Sequence, residues 1–181
     1  MRSLVLCLTL LTACYCSPAP DAAQAPGTPK AYRTTQPSLL YFKNMRSANY
    51  QQEEQRGTRI TLYTHNRLQD QKRDSLGFVP QIASDWLNDR AFLIPDWQGE
   101  YLTPTVPLTV SYGDTSLVLK GAPTPIAQTD WLLEVHQLMQ DGEQLYLATK
   151  QRGLYPILQD ERLQATFATV VKDYLRLTER E

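Results

Sequence analysis

The stretch Val106-Pro-Leu-Thr-Val-Ser-Tyr112-Gly-Asp-Thr-Ser-Leu-Val-Leu-Lys120, continuing through Thr124-Pro-Ile-Ala-Gln-Thr-Asp-Trp-Leu-Leu-Glu-Val-His-Gln-Leu-Met-Gln140 to Gly142, decides the fold class, because the hydrophobic period changes inside it. Val106, Leu108, Val110 and Tyr112 alternate with Thr105, Pro107, Thr109 and Ser111, which is the signature of a half-buried strand. Gly113 and Asp114 then supply a turn into a second strand, Ser116 to Lys120, so the pair reads as a hairpin. Beyond Gly121 the spacing becomes helical. Trp131, Leu132, Val135, Leu138 and Met139 share a face, Thr124 and Pro125 fit an N-cap and first helical position, with Asp130 as a later alternative start, and Gly142 fits the stop.

Working outward, the C-terminal side predicts two short strands, Leu145 to Thr149 and Leu154 to Ile157, around Gly153. A closing helix follows, capped by Asp160, with Leu163, Phe167, Val170, Val171, Tyr174 and Leu177 in one stripe. Glu161 near its start and Arg176 and Arg180 near its end complement the helix dipole. On the N-terminal side, Phe78 to Trp86 and Ala91 to Ile94 form a hairpin through Leu87 to Arg90. Lys72 to Gly77 reads as a charged turn. Two earlier strands are expected at Leu39 to Arg46 and Arg59 to Leu68, with Gln51 to Gly57 as a polar connection. Alternation in the second sets Ile60, Leu62 and Leu68 against Thr61, Tyr63 and His65, which puts His65 toward water. Hairpins imply antiparallel pairing and one-faced helices must cover something apolar. The expectation is an α+β domain over residues 38–181, an antiparallel sheet of about six to eight strands with two amphipathic helices on one side.

The first 37 residues are of another kind. Arg2 and the run Leu4 to Leu11 precede Leu11-Thr12-Ala13-Cys14, and this resembles the lipobox of bacterial lipoproteins, with Leu at −3 and a small residue at −1. The resemblance implies removal of residues 1–13, a diacylglycerol on the Cys14 sulfur and acylation of the new amino terminus. The run spans only about 12 Å as a helix, well short of the roughly 20 residues that cross a bilayer. It therefore reads as a signal h-region, and two or more acyl chains would hold the protein on a membrane. Cys16 is the rival lipidation site, but it would put Tyr15 at −1. Residues 14–37 carry Pro18, Pro20, Pro26, Pro29 and Pro37 among small residues and read as an extended tether. With no acidic residue directly after Cys14, the expected location is the outer membrane, facing the periplasm.

The three cysteines, Cys7, Cys14 and Cys16, all lie at this end, so no disulfide is expected in the domain. The net charge of −1, without a basic block, argues against nucleic acid as a partner. From about Val106 to Leu177 the order of hairpin, amphipathic helix, strand pair and closing helix resembles small envelope proteins of the invasion-associated locus B group. That group's shared cysteines have no counterpart here. The resemblance implies a non-enzymatic envelope protein and transfers no site residue.

Catalytic signals are sparse. The chain has no G-x-S-x-G elbow, no H-E-x-x-H and no glycine-rich phosphate loop, and no metal ligand set or cofactor is expected. His65 and His136 sit on different predicted elements, and His136 shares a helix side with Leu132 and Met139. Asp85, Asp89 and Asp96 gather at the first hairpin beside Trp86 and Trp97, which allows one catalytic reading: a glycan hydrolase with two carboxyl groups about 5 to 9 Å apart. Turn and strand-end roles explain the same residues. Trp131 reads as core, whereas Trp86, Trp97 and Tyr101 are candidates for a binding surface. The sequence thus predicts a lipid-anchored recognition or assembly module with an envelope protein or cell-wall glycan as partner.

Overall fold

The computed structural model describes residues 32–69, 77–98, 108–119, 124–149 and 153–180. The elements are α1 (Gln36–Tyr41), a π-helical turn (Phe42–Arg46) and a 3-10 turn (Ser47–Asn49), then β1 (Tyr50–Glu54), β2 (Ile60–His65), α2 (Asn66–Gln69), β3 (Gly77–Asp85) and β4 (Arg90–Gln98). They are followed by β5 (Leu108–Tyr112), β6 (Thr115–Leu119), α3 (Pro125–Gln140), β7 (Leu145–Thr149), β8 (Gly153–Ile157) and α4 (Glu161–Leu177). The α+β class is as expected. The strands, however, form two antiparallel four-stranded sheets, in the orders β1-β2-β3-β4 and β6-β5-β7-β8, in place of the single sheet of six to eight. Alternation within a strand reports which face is buried and says nothing of which strands pair, so the division was not visible locally.

The two long helices form where the caps predict. Thr124 accepts from the Ala127 amide at the start of α3, and Asp160 accepts from Arg162 and Leu163 at the start of α4. Gly142 closes α3 with φ +82°, a left-handed conformation that suits glycine. Trp131, Leu132 and Val135 from α3 and Phe167, Val170, Val171, Tyr174 and Leu177 from α4 are buried in one core with Ile82 and Leu93 of the first sheet and Leu145, Leu147 and Ile157 of the second. Trp131 is core, as its helical spacing predicts.

The N-terminal portion departs from expectation in three places besides the second strand, which ends at His65 because Asn66–Gln69, with buried Leu68, turns into α2. Residues 39–46 are helical, not a strand. Thr35 and Ser38 form a reciprocal capping box, and buried Leu39 and Phe42 stand three residues apart while Leu40, Tyr41 and Met45 face solvent. Second, the polar run from Gln51 holds a strand, β1, whose residues after Tyr50 are all exposed; pairing with β2, not apolar alternation, makes it. Third, β2 is covered on the side that alternation assigned to water. Tyr63 is 3% exposed and His65 7%, because Phe42 and Tyr50 pack over them, with Phe42 edge-on to Tyr63 at 5.1 Å and Tyr50 edge-on to His65 at 5.1 Å.

The folded body also begins earlier than residue 38. Tyr32 is buried and stacks on Phe92 at 5.7 Å, its hydroxyl donates to Asp130 at 2.6 Å, and the Thr34 amide donates to the Asp89 carbonyl at 2.8 Å. Residues 32–37, placed by composition at the end of the tether, are therefore part of the domain. The proposed turn before Gly77 and the strand start at Val106 lie outside the described residues.

Candidate functional site

The β3–β4 hairpin places the residues singled out for chemistry, and it separates them. Asp85 ends β3, opposite Arg90, and holds the turn by accepting from the Asn88 amide at 3.3 Å and from the Asn88 side chain at 2.7 Å. Asp89 is exposed in that turn with φ +48°, a position aspartate tolerates better than most residues. Asp96 pairs with Val79 at the far end of β4, and the Gln81 side chain donates to it at 3.4 Å. The six residue steps of strand from Arg90 to Asp96 amount to about 20 Å. Asp96 thus cannot share a glycoside with Asp85 or Asp89, and those two are committed to the turn. The paired-carboxylate reading finds no geometry in these residues.

The aromatic candidates separate in the same way. Trp97 packs inward at the Asp96 end, against Phe78 at 5.4 Å and Trp131 at 5.6 Å. Tyr101 lies outside the described residues. Trp86 stands at the opposite tip and is 54% exposed. It projects there for a local reason: strand pairing ends at Asp85–Arg90, so Trp86 falls in the turn, beyond the sheet face that would have buried it. Beside it lies the β1–β2 turn, whose Gly57 has φ +76°. Trp86, Glu54, Arg56, Arg59 and Thr61 line a notch of about 480 Å³. Two arginines against the one carboxylate of Glu54 leave the lining with a net positive charge, and together with the exposed Trp86 this suits stacking on a flat apolar ring face and pairing to an anionic substituent.

A second polar assembly was missed in the sequence. Asp173, on α4 with a side chain only 1% exposed, accepts from Arg46 Nε at 2.8 Å and Arg46 Nη2 at 3.0 Å, and from the Tyr50 hydroxyl at 2.7 Å. Burial and the neighbouring Asp173 carboxylate push the Tyr50 hydroxyl well above its ordinary range, so it remains a proton donor. The signal was present: Asp173 lies within the apolar stripe, three residues after Val170 and four before Leu177, and a carboxylate on that face requires a cationic partner. What the sequence lacked was any sign that Arg46, 127 positions away, is that partner.

His65 lies beside this assembly. Burial first, then the positive charges of Arg67 and Arg46, lower its basicity against the opposing pull of Asp173. His136 is half-buried, edge-on to Phe167 at 5.9 Å, and burial lowers its basicity too. Among the described residues no group of three or more His, Cys, Asp or Glu side chains could hold a metal ion, and no helix is long and apolar enough to cross a membrane. Comparison with protein-family models, with curated proteins and with solved structures finds no match for this chain.

Proposed function

We propose that the chain is a lipid-anchored protein of the bacterial cell envelope whose domain recognises an acidic cell-wall glycan without chemically altering it. The anchor rests on Leu11-Thr12-Ala13-Cys14, and the outer-membrane, periplasm-facing position on the absence of an acidic residue directly after Cys14. Recognition rests on one observation above all: Trp86 projects from the hairpin tip beside Arg56 and Arg59. A notch of about 480 Å³ has the size of a small-molecule site and favours one or two sugar rings over a broad protein face. Trp86 stacks on a sugar ring, and the arginines pair with its carboxylates.

Purified cell-wall sacculi provide the test. The full chain in nonionic detergent is expected to co-sediment with them, and Trp86→Ala to lose most of that binding while remaining folded. Equal sedimentation of wild type and Trp86→Ala removes the notch as the site. Retention by envelope proteins but not by sacculi replaces the glycan with a protein partner.

A further inference from the structure

We propose that the cleft where the Phe42–Asn49 segment, the β2–α2 junction and α4 meet is a binding site for a tetrahedral oxyanion of the phosphate type. The cleft holds about 230 Å³ and is lined by Arg46, Asn49, His65, Arg67, Thr166 and Thr169, with no carboxylate among its lining residues. Asp173 lies behind it, its oxygens taken up by Arg46 and Tyr50. That carboxylate offsets one of the two guanidinium charges. Among the described residues Arg67 has no ion-pair partner, so the cleft keeps a net positive charge.

The donors favour a tetrahedral anion over a carboxylate. Arg46 uses Nε and Nη2 on Asp173, so the edge that would grip a planar carboxylate in a two-pronged fashion is already occupied. What remains is a set of donors from different elements: the free Nη side of Arg46, the whole Arg67 guanidinium, the Asn49 side-chain amide and the imidazole; a carboxylate gripped by the Arg67 fork would leave the others unused. His65 Nδ1 accepts from the Arg67 amide at 3.3 Å, and this assigns the proton of the neutral ring to Nε2. The Thr166 and Thr169 hydroxyls donate to the Arg162 and Ala165 carbonyls, so they shape the wall and do not compete as donors. Separated donors match an ion whose oxygens point in several directions.

Occupancy couples to His65. The groups facing its ring are Tyr50 on β1, Arg46, the adjoining Arg67 and Asp173 on α4. An anion of fixed charge, such as sulfate, offsets the two arginines and favours the imidazolium, so its binding strengthens as pH falls.

The test uses the full chain in nonionic detergent, titrated with inorganic phosphate by calorimetry. Saturable binding is expected in wild type and in Arg90→Gln, at the opposite end of the sheet, and binding at least about tenfold weaker in Arg67→Gln, an exposed position where the fold is untouched. Sulfate, which does not titrate between pH 5 and 8, is expected to raise the His65 NMR midpoint and leave His136 in place. Competition with short-chain phosphatidylglycerol identifies the source: displacement of phosphate assigns the cleft to a lipid headgroup, and no displacement assigns it to a free phosphate. No saturable binding up to about 10 mM, equal binding in Arg67→Gln, or equal shifts of both histidines from general screening would overturn the proposal.

Discussion

Arg46 and Asp173 are joined by two hydrogen bonds, Nε to Oδ1 at 2.8 Å and Nη2 to Oδ2 at 3.0 Å, and this pair ties the π-helical turn to the closing helix. The Arg46 side chain is 28% exposed, so solvent weakens the attraction, while Asp173 is almost wholly enclosed and has Tyr50 as a further donor. Replacing Asp173 by Asn leaves a half-buried guanidinium without its counter-charge and Tyr50 with a weaker acceptor. The expected loss is about 2 to 3 kcal/mol, read from urea unfolding. A loss under about 0.5 kcal/mol would show that the pair contributes nothing net.

Thr129 on α3 does comparable work at the edge of the first sheet. Its hydroxyl oxygen accepts from the Leu93 amide at 2.9 Å and shares its proton between the Leu93 carbonyl at 3.1 Å and the Pro125 carbonyl at 2.8 Å. At Leu93 the outward backbone of β4 is thereby occupied by a helix instead of being open to another strand, as Arg33 occupies it at Arg90 through an antiparallel bridge. Thr129→Val keeps the shape, leaves both Leu93 groups unpaired in the interior, and is expected to cost about 1 to 3 kcal/mol by urea unfolding.

How much of this was legible follows from what each signal reports. The caps Thr124 and Asp160 and the stripe on α4 are local, so those helices were readable residue by residue. The β3–β4 hairpin was readable to within a residue: Trp86, singled out as an aromatic beside the carboxylates and assigned to the end of the strand, falls instead in the turn. The helical segment from Gln36 was misread because Leu39 and Phe42 present only two buried positions, too few to show a period, beside exposed Leu40 and Tyr41 that mimic a continuous apolar run. His65 was misplaced because Phe42 and Tyr50, which cover it, come from elsewhere in the chain. Alternation describes one strand, and what lies over that strand is decided by the rest of the molecule.

The histidines give the acid limb of the stability profile. Both are held below the usual 6.5 by burial, so the unfolded chain takes up protons there that the folded chain does not. Stability is fully present above about pH 6.5 and declines on acidification through the folded midpoints. Urea unfolding at pH 7.5 and 5.5 is expected to show a lower value at 5.5, with the difference reduced in His136→Gln. A profile flat over this range would contradict the burial of both rings.

Alkali acts through the tyrosines. Burial, reinforced by the Asp130 carboxylate that its hydroxyl bonds, raises Tyr32 to about 12, and burial raises Tyr174 to about 12. Unfolded tyrosine ionises near 10, so stability is lost as pH rises from about 10 toward 12. Ultraviolet titration of the folded chain is expected to show these two phenols ionising after the exposed ones, and Tyr32→Phe to remove one late-titrating group.

Trp86 is expected to behave unlike the buried aromatics. At 54% exposure its truncation to Ala changes folding stability by no more than about 0.5 kcal/mol, whereas Trp131→Ala, 3% exposed in the core, costs about 3 to 5 kcal/mol. Thermal unfolding of the two variants side by side checks the contrast.

Attachment of the folded body to a membrane through Cys14 is the claim on which localisation and presentation both rest, and metabolic labelling with an alkyne fatty acid tests it most directly. The account predicts label on wild type, at a mature chain beginning at Cys14, and no label on Cys14→Ala. Unlabelled wild type that retains residues 1–13, or Cys14→Ala labelled as strongly as wild type, would contradict it.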